Sequence, residues 1–344
     1  LMARIAKALV SDGPALAFSS TSFTNVPPRI SIVVKTTGSS GVAKEVGLSS
    51  AALLTSAKAS HKFLGAEFGN TWSLLLPLTH NAGIKFLIRS LELGTEPIDL
   101  RNYEGEYPHA DFTAIVPTQL FRALNGDDRL LRHLQAAKAV LVGGAALAPD
   151  LHVQASQAQI NVVTSYGSSE TAGGCVYNGT PLDGVEVSIT PEKKIALKGG
   201  VLATTYLGAQ TLWDTSFQGG WLITSDSGRI ENEKLIVEGR VDDVIISGGE
   251  NISLSAIEGS LHAHFPHKTF AAFAIKDPQW GDALHVAVAG DGFPSENELN
   301  DYLVEKFGAP SKPKGYLYLP ELPLIGIGKV DRKKLQELLM EAPN

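Results

Sequence analysis

KAVLVGG at residues 138–144 and INVVTSYG at residues 160–167 are short apolar runs that each lead into glycine. Upstream, SIVV (31–34), TWSLLLPL (71–78) and FTAIVP (112–117) have the same texture. Between them lie helix-like stretches: one from about residue 49 to 63, GIKFLIRSLELG (83–94) closed by glycine, and one opening at TQLFRAL. Brief apolar runs bounded by turn residues suit strands buried on both faces, and helices between them supply the crossovers that parallel pairing needs. The expected body is therefore α/β with much parallel sheet. After about Pro181 the texture changes to GVEVSIT, KKIALKGG, GWLITSD, GRIENE and KLIVEGR, short strands set apart by glycine and charged turns. These predict a β-rich subdomain carried by the α/β body. A boundary is expected near residues 239–243, giving a large domain over 1–239 and a smaller α+β domain over 240–344. The smaller domain runs through IEGSLHAHF, TFAAFAIKD, ALHVAVAG and the helix-like ENELNDYLVEKF to a short basic helix.

Composition bounds the function without naming it. The 344 residues are 44% hydrophobic and 19% charged, enough apolar material for a core in each of two domains. A net charge of −7, with no long stretch of one sign, argues against nucleic acid or an anionic membrane as the main partner. The pair Lys193-Lys194 and the run Arg332-Lys333-Lys334 suit ordinary solvated surface. A single cysteine, Cys175, excludes an intrachain disulfide and a cysteine metal cluster, and fits a reducing cytoplasm. The chain shows neither a signal-peptide pattern nor the roughly 18 uninterrupted apolar residues of a membrane span. The nine histidines are scattered, which argues against zinc. No G-x-S-x-G elbow is present, which argues against an α/β-hydrolase.

Several polar segments can carry chemistry. Thr36, Thr37, Gly38, Ser39, Ser40, Gly41 and Lys44 combine backbone freedom, hydroxyl donors and a mobile cation, a set that can wrap phosphate. The spacing is not that of a P-loop, because Gly41 is not followed by Lys-Ser or Lys-Thr. Tyr166, Gly167, Ser168 and Glu170 follow a strand at the place where such folds bind ligands. Tyr166 can stack on a base and Glu170 can hold Mg²⁺; alternatively, a serine caps a helix start with Glu170 in its first turn. Asp226, expected in a strand-end turn, can chelate a ribose diol, and Arg240 can bind phosphate or ribose oxygens. Lys329, on a glycine-flanked loop, can neutralise charge on a transferring oxygen. His80, just beyond a buried strand, is the strongest functional candidate among the histidines.

Taken in order, TTGSSGVAKEV (36–46), YGSSETAGG (166–174), SDSGRI (225–230), GRVDDVIISGGENIS (239–253) and GIGKVDRKKL (326–335) resemble the motifs of the acyl-adenylate-forming superfamily. That superfamily includes acyl-CoA synthetases, peptide-synthetase adenylation domains and luciferases. The resemblance implies that the 36–44 loop clamps the β- and γ-phosphates of ATP. It implies that Gly143, Gly144, Ala145, Tyr166 and Gly167 contact adenine, and that Glu170 holds Mg²⁺. Asp226 would accept the ribose hydroxyls with help from Arg240. His80 would wall the acyl pocket, Lys329 would touch the carboxylate and α-phosphate, and Asp242 would be the hinge of a mobile second domain. Gly248 and Gly249 would face CoA.

Two features depart from the pattern. Ala43 and Glu45 stand where proline and glycine are frequent, and Glu45 would add negative charge near the phosphates if it faced inward. About 35 residues precede the phosphate loop, where the family usually has well over a hundred, so a reduced N-terminal lobe is expected. The short form, with LPLTHNAGIKFLIRSLELGTEPI (76–98) and IISGGENIS, most resembles the compact o-succinylbenzoate–CoA ligases of actinobacterial menaquinone biosynthesis. In that resemblance Arg89, or Lys85 one turn earlier, pairs with a substrate carboxylate. The implied partners are a small carboxylate, ATP with Mg²⁺, and CoA, in the cytoplasm; a homo-oligomer is compatible with it. Loading of a carrier protein, use of another carboxylate, and a noncatalytic nucleotide-binding derivative are the alternatives.

Overall fold

A computed structural model describes residues 1–10, 13–37, 43–78, 81–265, 268–290, 292–325 and 329–341, leaving aside the side chains of residues 37, 43, 81, 82, 242 and 329. The chain divides into two compact units. The first comprises Leu1–Leu147, Leu151–Thr224 and Arg229–Ile236; the second comprises Ala148–Asp150, Ser225–Gly228 and Val237–Asn344.

The first unit is built on a seven-stranded sheet in the order Thr180–Pro181, Gly173–Tyr177, Val162–Ser168, Ala139–Gly143, Phe112–Ile115, Trp72–Leu74, Ile98–Asp99. The five strands from Val162–Ser168 to Ile98–Asp99 are parallel; toward the other edge Gly173–Tyr177 pairs antiparallel with Val162–Ser168, and Thr180–Pro181 antiparallel with Gly173–Tyr177. Val140, Leu141 and Val142 are all buried, which is why this strand is a continuous apolar run rather than an alternating one. TWSLLLPL forms a strand only over Trp72–Leu74. The chain then runs to Pro77, which cannot donate to a ladder.

A second sheet, in the order Leu16–Ala17, Ile30–Thr37, Ala43–Ser49, Thr205–Leu207, corrects the expectation of a strand over 31–34 leading into a loop. The strand continues through Thr37 and returns as Ala43–Ser49, with Thr36 opposite Lys44. Glu45, Val46, Gly47 and Leu48 are all buried, so both faces are covered and no alternation marks this strand. A Cβ on Gly47 would sit 2.5 Å from Ile30 Cδ1, so a larger residue there would require the Ile30 side chain to shift.

In the β-rich region, Trp221–Glu231 is one strand of 11 residues, where two separate strands were expected. Asp226 therefore lies within a strand rather than at its end. Lys234–Arg240 pairs with it.

The second unit holds a sheet in the order Glu250–Ser253, Val244–Ser247, Gly281–Ala289, Thr269–Asp277, with Gly315–Leu319 joined parallel to Gly281–Ala289. Phe270, Leu284, Val286 and Val288 meet Ile257, Leu261, Leu299 and Leu303 of helices Leu254–His264 and Glu296–Phe307 in one buried cluster. Gly248 and Gly249 form the two-residue turn between Val244–Ser247 and Glu250–Ser253. Their φ values of 59° and 86° are those such a tight hairpin requires.

Candidate active site

In the first unit the carboxyl ends of two adjacent parallel strands bring sequence-predicted residues together. Gly143 lies opposite Ser165, next to Tyr166. A Cβ on Gly143 would sit 2.9 Å from the Ser165 carbonyl oxygen, so glycine is what lets the strands close here. Gly144 and Ala145 follow, both exposed. Tyr166, Gly167 and Ser168, expected as a loop, continue the strand Val162–Ser168 and pair with Gly173–Tyr177 across a bulge at Tyr166/Gly167.

Ser168 then caps a short 3₁₀ turn, Ser169–Thr171, its Oγ accepting from the Glu170 N–H at 3.2 Å. The alternative reading of a capping serine with an acid in the first turn thus describes the local structure. It leaves the Glu170 carboxylate available for chemistry. The Glu170 carbonyl accepts from Ala203 N at 2.7 Å, and its Oε1 accepts from the Tyr206 hydroxyl at 2.8 Å. The Lys44 Nζ lies 5.0 Å from the centroid of the same Tyr206 ring. Burial and the neighbouring Glu170 carboxylate hold the Tyr206 phenol well above its ordinary pKa, so it remains a donor. Thr36 Oγ1 donates to the Lys44 carbonyl at 3.5 Å. Tyr206 escaped the sequence reading because Glu170 is 36 residues away and no motif links the two. Gly38, Ser39, Ser40, Gly41 and His80 lie outside the described residues, as does the side chain of Thr37.

Lys85 and Arg89 share one face of helix Asn81–Glu92, as their spacing implies, but that face is interior: they are 2% and 4% exposed. Lys85 Nζ donates to Ser56 Oγ at 2.6 Å, and Ser56 Oγ donates to the Ala172 carbonyl at 3.3 Å, so the ammonium supports the turn that follows Glu170. Arg89 Nη2 donates to the Tyr177 hydroxyl at 2.7 Å, and its guanidinium lies 4.6 Å from the Trp72 ring centroid. Burial, and then the Arg89 charge, push the Lys85 pKa well below its ordinary value. A substrate carboxylate would have to displace these protein partners.

The second unit carries its own group. Arg240 Nη1 meets Asp226 Oδ1 at 3.2 Å, with both side chains half-buried. Asp242 lies in the short turn Val241–Asp243, and Lys329 pairs with Ile325 in a two-strand hairpin; their side chains lie outside the description. Arg332 is not the solvated residue expected. Its Nε donates to the Ala272 carbonyl at 2.9 Å, Nη1 to Asp243 at 3.3 Å and Nη2 to Glu258 at 2.8 Å. One guanidinium thereby ties the residue after Asp242 to the start of helix Arg332–Glu341.

Comparison with known proteins gives these groups a context. The AMP-binding enzyme family matches residues 24–194. Over 324 residues the chain is 35% identical to a probable 2-succinylbenzoate–CoA ligase of Mycobacterium tuberculosis, covering 89% of this chain and 84% of that one. The chain belongs to the AMP-binding enzyme family. A 2-succinylbenzoate–CoA ligase of Escherichia coli is 30% identical over 323 residues, covering 90% of this chain and 69% of that one. The fold is similar to o-succinylbenzoate CoA synthetase from Bacillus subtilis, solved with its acyl-adenylate intermediate. There the TM-score is 0.78 at 26% identity, covering 89% of this chain and 69% of the other.

In this AMP-binding enzyme the Glu45 carboxylate is engaged by residues 21 and 22. Glu45 is buried, and its carboxylate accepts from the Thr21 hydroxyl and from Ser22 N at 3.1 Å. The oxygen donor of Glu170 suits a hard cation. Among the described residues no cluster of three or more His, Cys, Asp or Glu could hold a metal ion. A carboxylate donor of this kind fits Mg²⁺ that also takes oxygens from nucleotide phosphates.

Proposed function

We propose that this AMP-binding enzyme joins 2-succinylbenzoate to CoA through an acyl-adenylate, at the expense of ATP, in menaquinone biosynthesis. The observation that carries the reading is the 35% identity to the mycobacterial ligase across 84% of its length. The substrate carboxylate attacks the α-phosphorus of ATP and pyrophosphate leaves. The CoA thiol then attacks the acyl carbon of the mixed anhydride and AMP leaves. No protein nucleophile is required.

The chain's own residues position and neutralise. Thr36, Thr37, Gly38, Ser39, Ser40, Gly41 and Lys44 hold the β- and γ-phosphates. Gly143, Gly144, Ala145, Tyr166, Gly167 and Ser168 border the adenine, and Glu170 is the Mg²⁺ ligand. When bound, Mg²⁺ offsets charge on the phosphate oxygens. Asp226 and Arg240 take the ribose, and Lys329 neutralises the reacting carboxylate and α-phosphate. His80 borders the acyl group. Residues 240–344 turn about Asp242 between half-reactions, bringing Gly248 and Gly249 to CoA. Among the described residues no helix is long and apolar enough to cross a membrane. A cytoplasmic location, where ATP and CoA are at hand, goes with this chemistry.

The test is ATP–pyrophosphate exchange across aromatic and aliphatic mono- and dicarboxylates, followed by CoA or a holo-carrier protein as acceptor. Exchange selective for 2-succinylbenzoate, with transfer to CoA, is the expected result. Selectivity for another acid would overturn the substrate, transfer to the carrier alone would overturn the acceptor, and silence with every acid would leave a noncatalytic nucleotide binder.

A further inference from the structure

We propose that Tyr206 is a positioning residue for adenylation: its hydroxyl aims the Glu170 carboxylate at the metal–nucleotide complex while its ring seats the Lys44 ammonium. The inference rests on the reading of Glu170 as the Mg²⁺ ligand. Three elements meet at this one side chain. Thr205–Leu207 pairs antiparallel with Ala43–Ser49, placing Tyr206 opposite Val46. Side chains alternate along a strand, so Lys44, two residues from Val46, lies diagonally on the same face. There its Nζ stands 5.0 Å from the ring centroid, within the range where a cation is attracted to an aromatic face.

The ring itself has little freedom. Tyr206 is 4% exposed, and Trp213 packs edge-on against it with centroids 5.2 Å apart. From that fixed ring the hydroxyl reaches Glu170 Oε1 at 2.8 Å. A phenol donates one proton, so it fixes the carboxylate through one lone-pair site on Oε1 and leaves Oε2 and the remaining site for a cation. Where the Glu170 carboxylate is a metal donor, its direction governs metal affinity, and a neighbouring donor that fixes it matters accordingly. Tyr206 thus couples the spacing of a cation and an anion that the chain supplies from different segments.

Calorimetric titration of ATP into the full chain, at a series of Mg²⁺ concentrations and without acid substrate, tests this. Tyr206→Phe keeps the ring and removes the hydroxyl. It should raise the Mg²⁺ needed for half of the metal-dependent gain in ATP affinity about 10-fold. Its metal-free ATP affinity should stay within about 2-fold, because the ring under Lys44 remains. Tyr206→Leu should show the same metal defect and also lose about 3-fold in metal-free affinity. Glu170→Gln is the reference for the underlying reading. If it leaves the Mg²⁺ dependence as in the unaltered protein, the Glu170 assignment falls and this inference with it. If Glu170→Gln shifts that dependence and Tyr206→Phe does not, the positioning role alone is overturned. A loss in Tyr206→Phe that is equal with and without Mg²⁺ overturns it too, since simple loosening of the core would do that.

Discussion

His61, on helix Ser50–Leu64, accepts at Nε2 from the indole Nε1 of Trp72 at 3.2 Å. An indole can only donate, so Nε2 carries no proton; the ring is neutral and gives its single proton from Nδ1 to Glu92 Oε2 at 2.5 Å. Burial above all, with the nearby Arg89 and Lys85 charges, outweighs the Glu92 hydrogen bond and charge that pull the other way and lowers its pKa to about 4. The folded value lies below the unfolded value of about 6.5, so the stability involved is fully present above pH 6.5. It is lost as pH falls from 6.5 toward 4. Across that window the loss amounts to about 3 kcal/mol. Glutamine can accept from Trp72 and donate to Glu92 without titrating. Urea unfolding at pH 7.5 and 4.5 should therefore show His61→Gln losing about 2–3 kcal/mol less than the unaltered protein. Equal losses would show that His61 is not the acid-sensitive group.

The hairpin Ile30–Thr37 and Ala43–Ser49 shows what an element can hide from its sequence. Its return strand carries Glu45 and Gly47 at interior positions, which read as polar and flexible when the partner on the far face is unknown. The parallel strands were legible because both of their faces are packed by apolar side chains, as at Val140 and Leu141. Glu45 works as a latch on residues 21–22. Glu45→Ala should cost about 1.5–3 kcal/mol, the value of hydrogen bonds to a charged acceptor. It should also speed limited proteolysis within residues 18–27, while Glu45→Gln does so less. Unchanged cleavage in Glu45→Ala would show that the latch does not hold that segment. Trp221–Glu231 was misread for a related reason: Asp226 and Gly228 resemble turn residues, yet the strand passes straight through them.

For the whole molecule, the order of five motifs along the chain carried the family and much of the candidate chemistry, although each motif alone was ambiguous. Side-chain partners were not legible in that order. The Lys85 and Arg89 spacing defines a helix face without saying that it points inward, and Tyr206 lies in none of the motifs. The proposed division of labour has a kinetic signature. Lys329→Ala should abolish adenylate formation, measured as pyrophosphate exchange, while largely sparing CoA transfer from presynthesised acyl-AMP. Equal loss of both half-reactions would overturn the role given to Lys329. Tyr206 also has an optical consequence. Trp213 lies edge-on to it and stacks on Phe217 with rings 13° from parallel, so an indole sits one ring away from Glu170 and Lys44. Indole emission responds to nearby charge and polarity, and this molecule thereby carries a built-in fluorophore beside the groups proposed to meet its nucleotide.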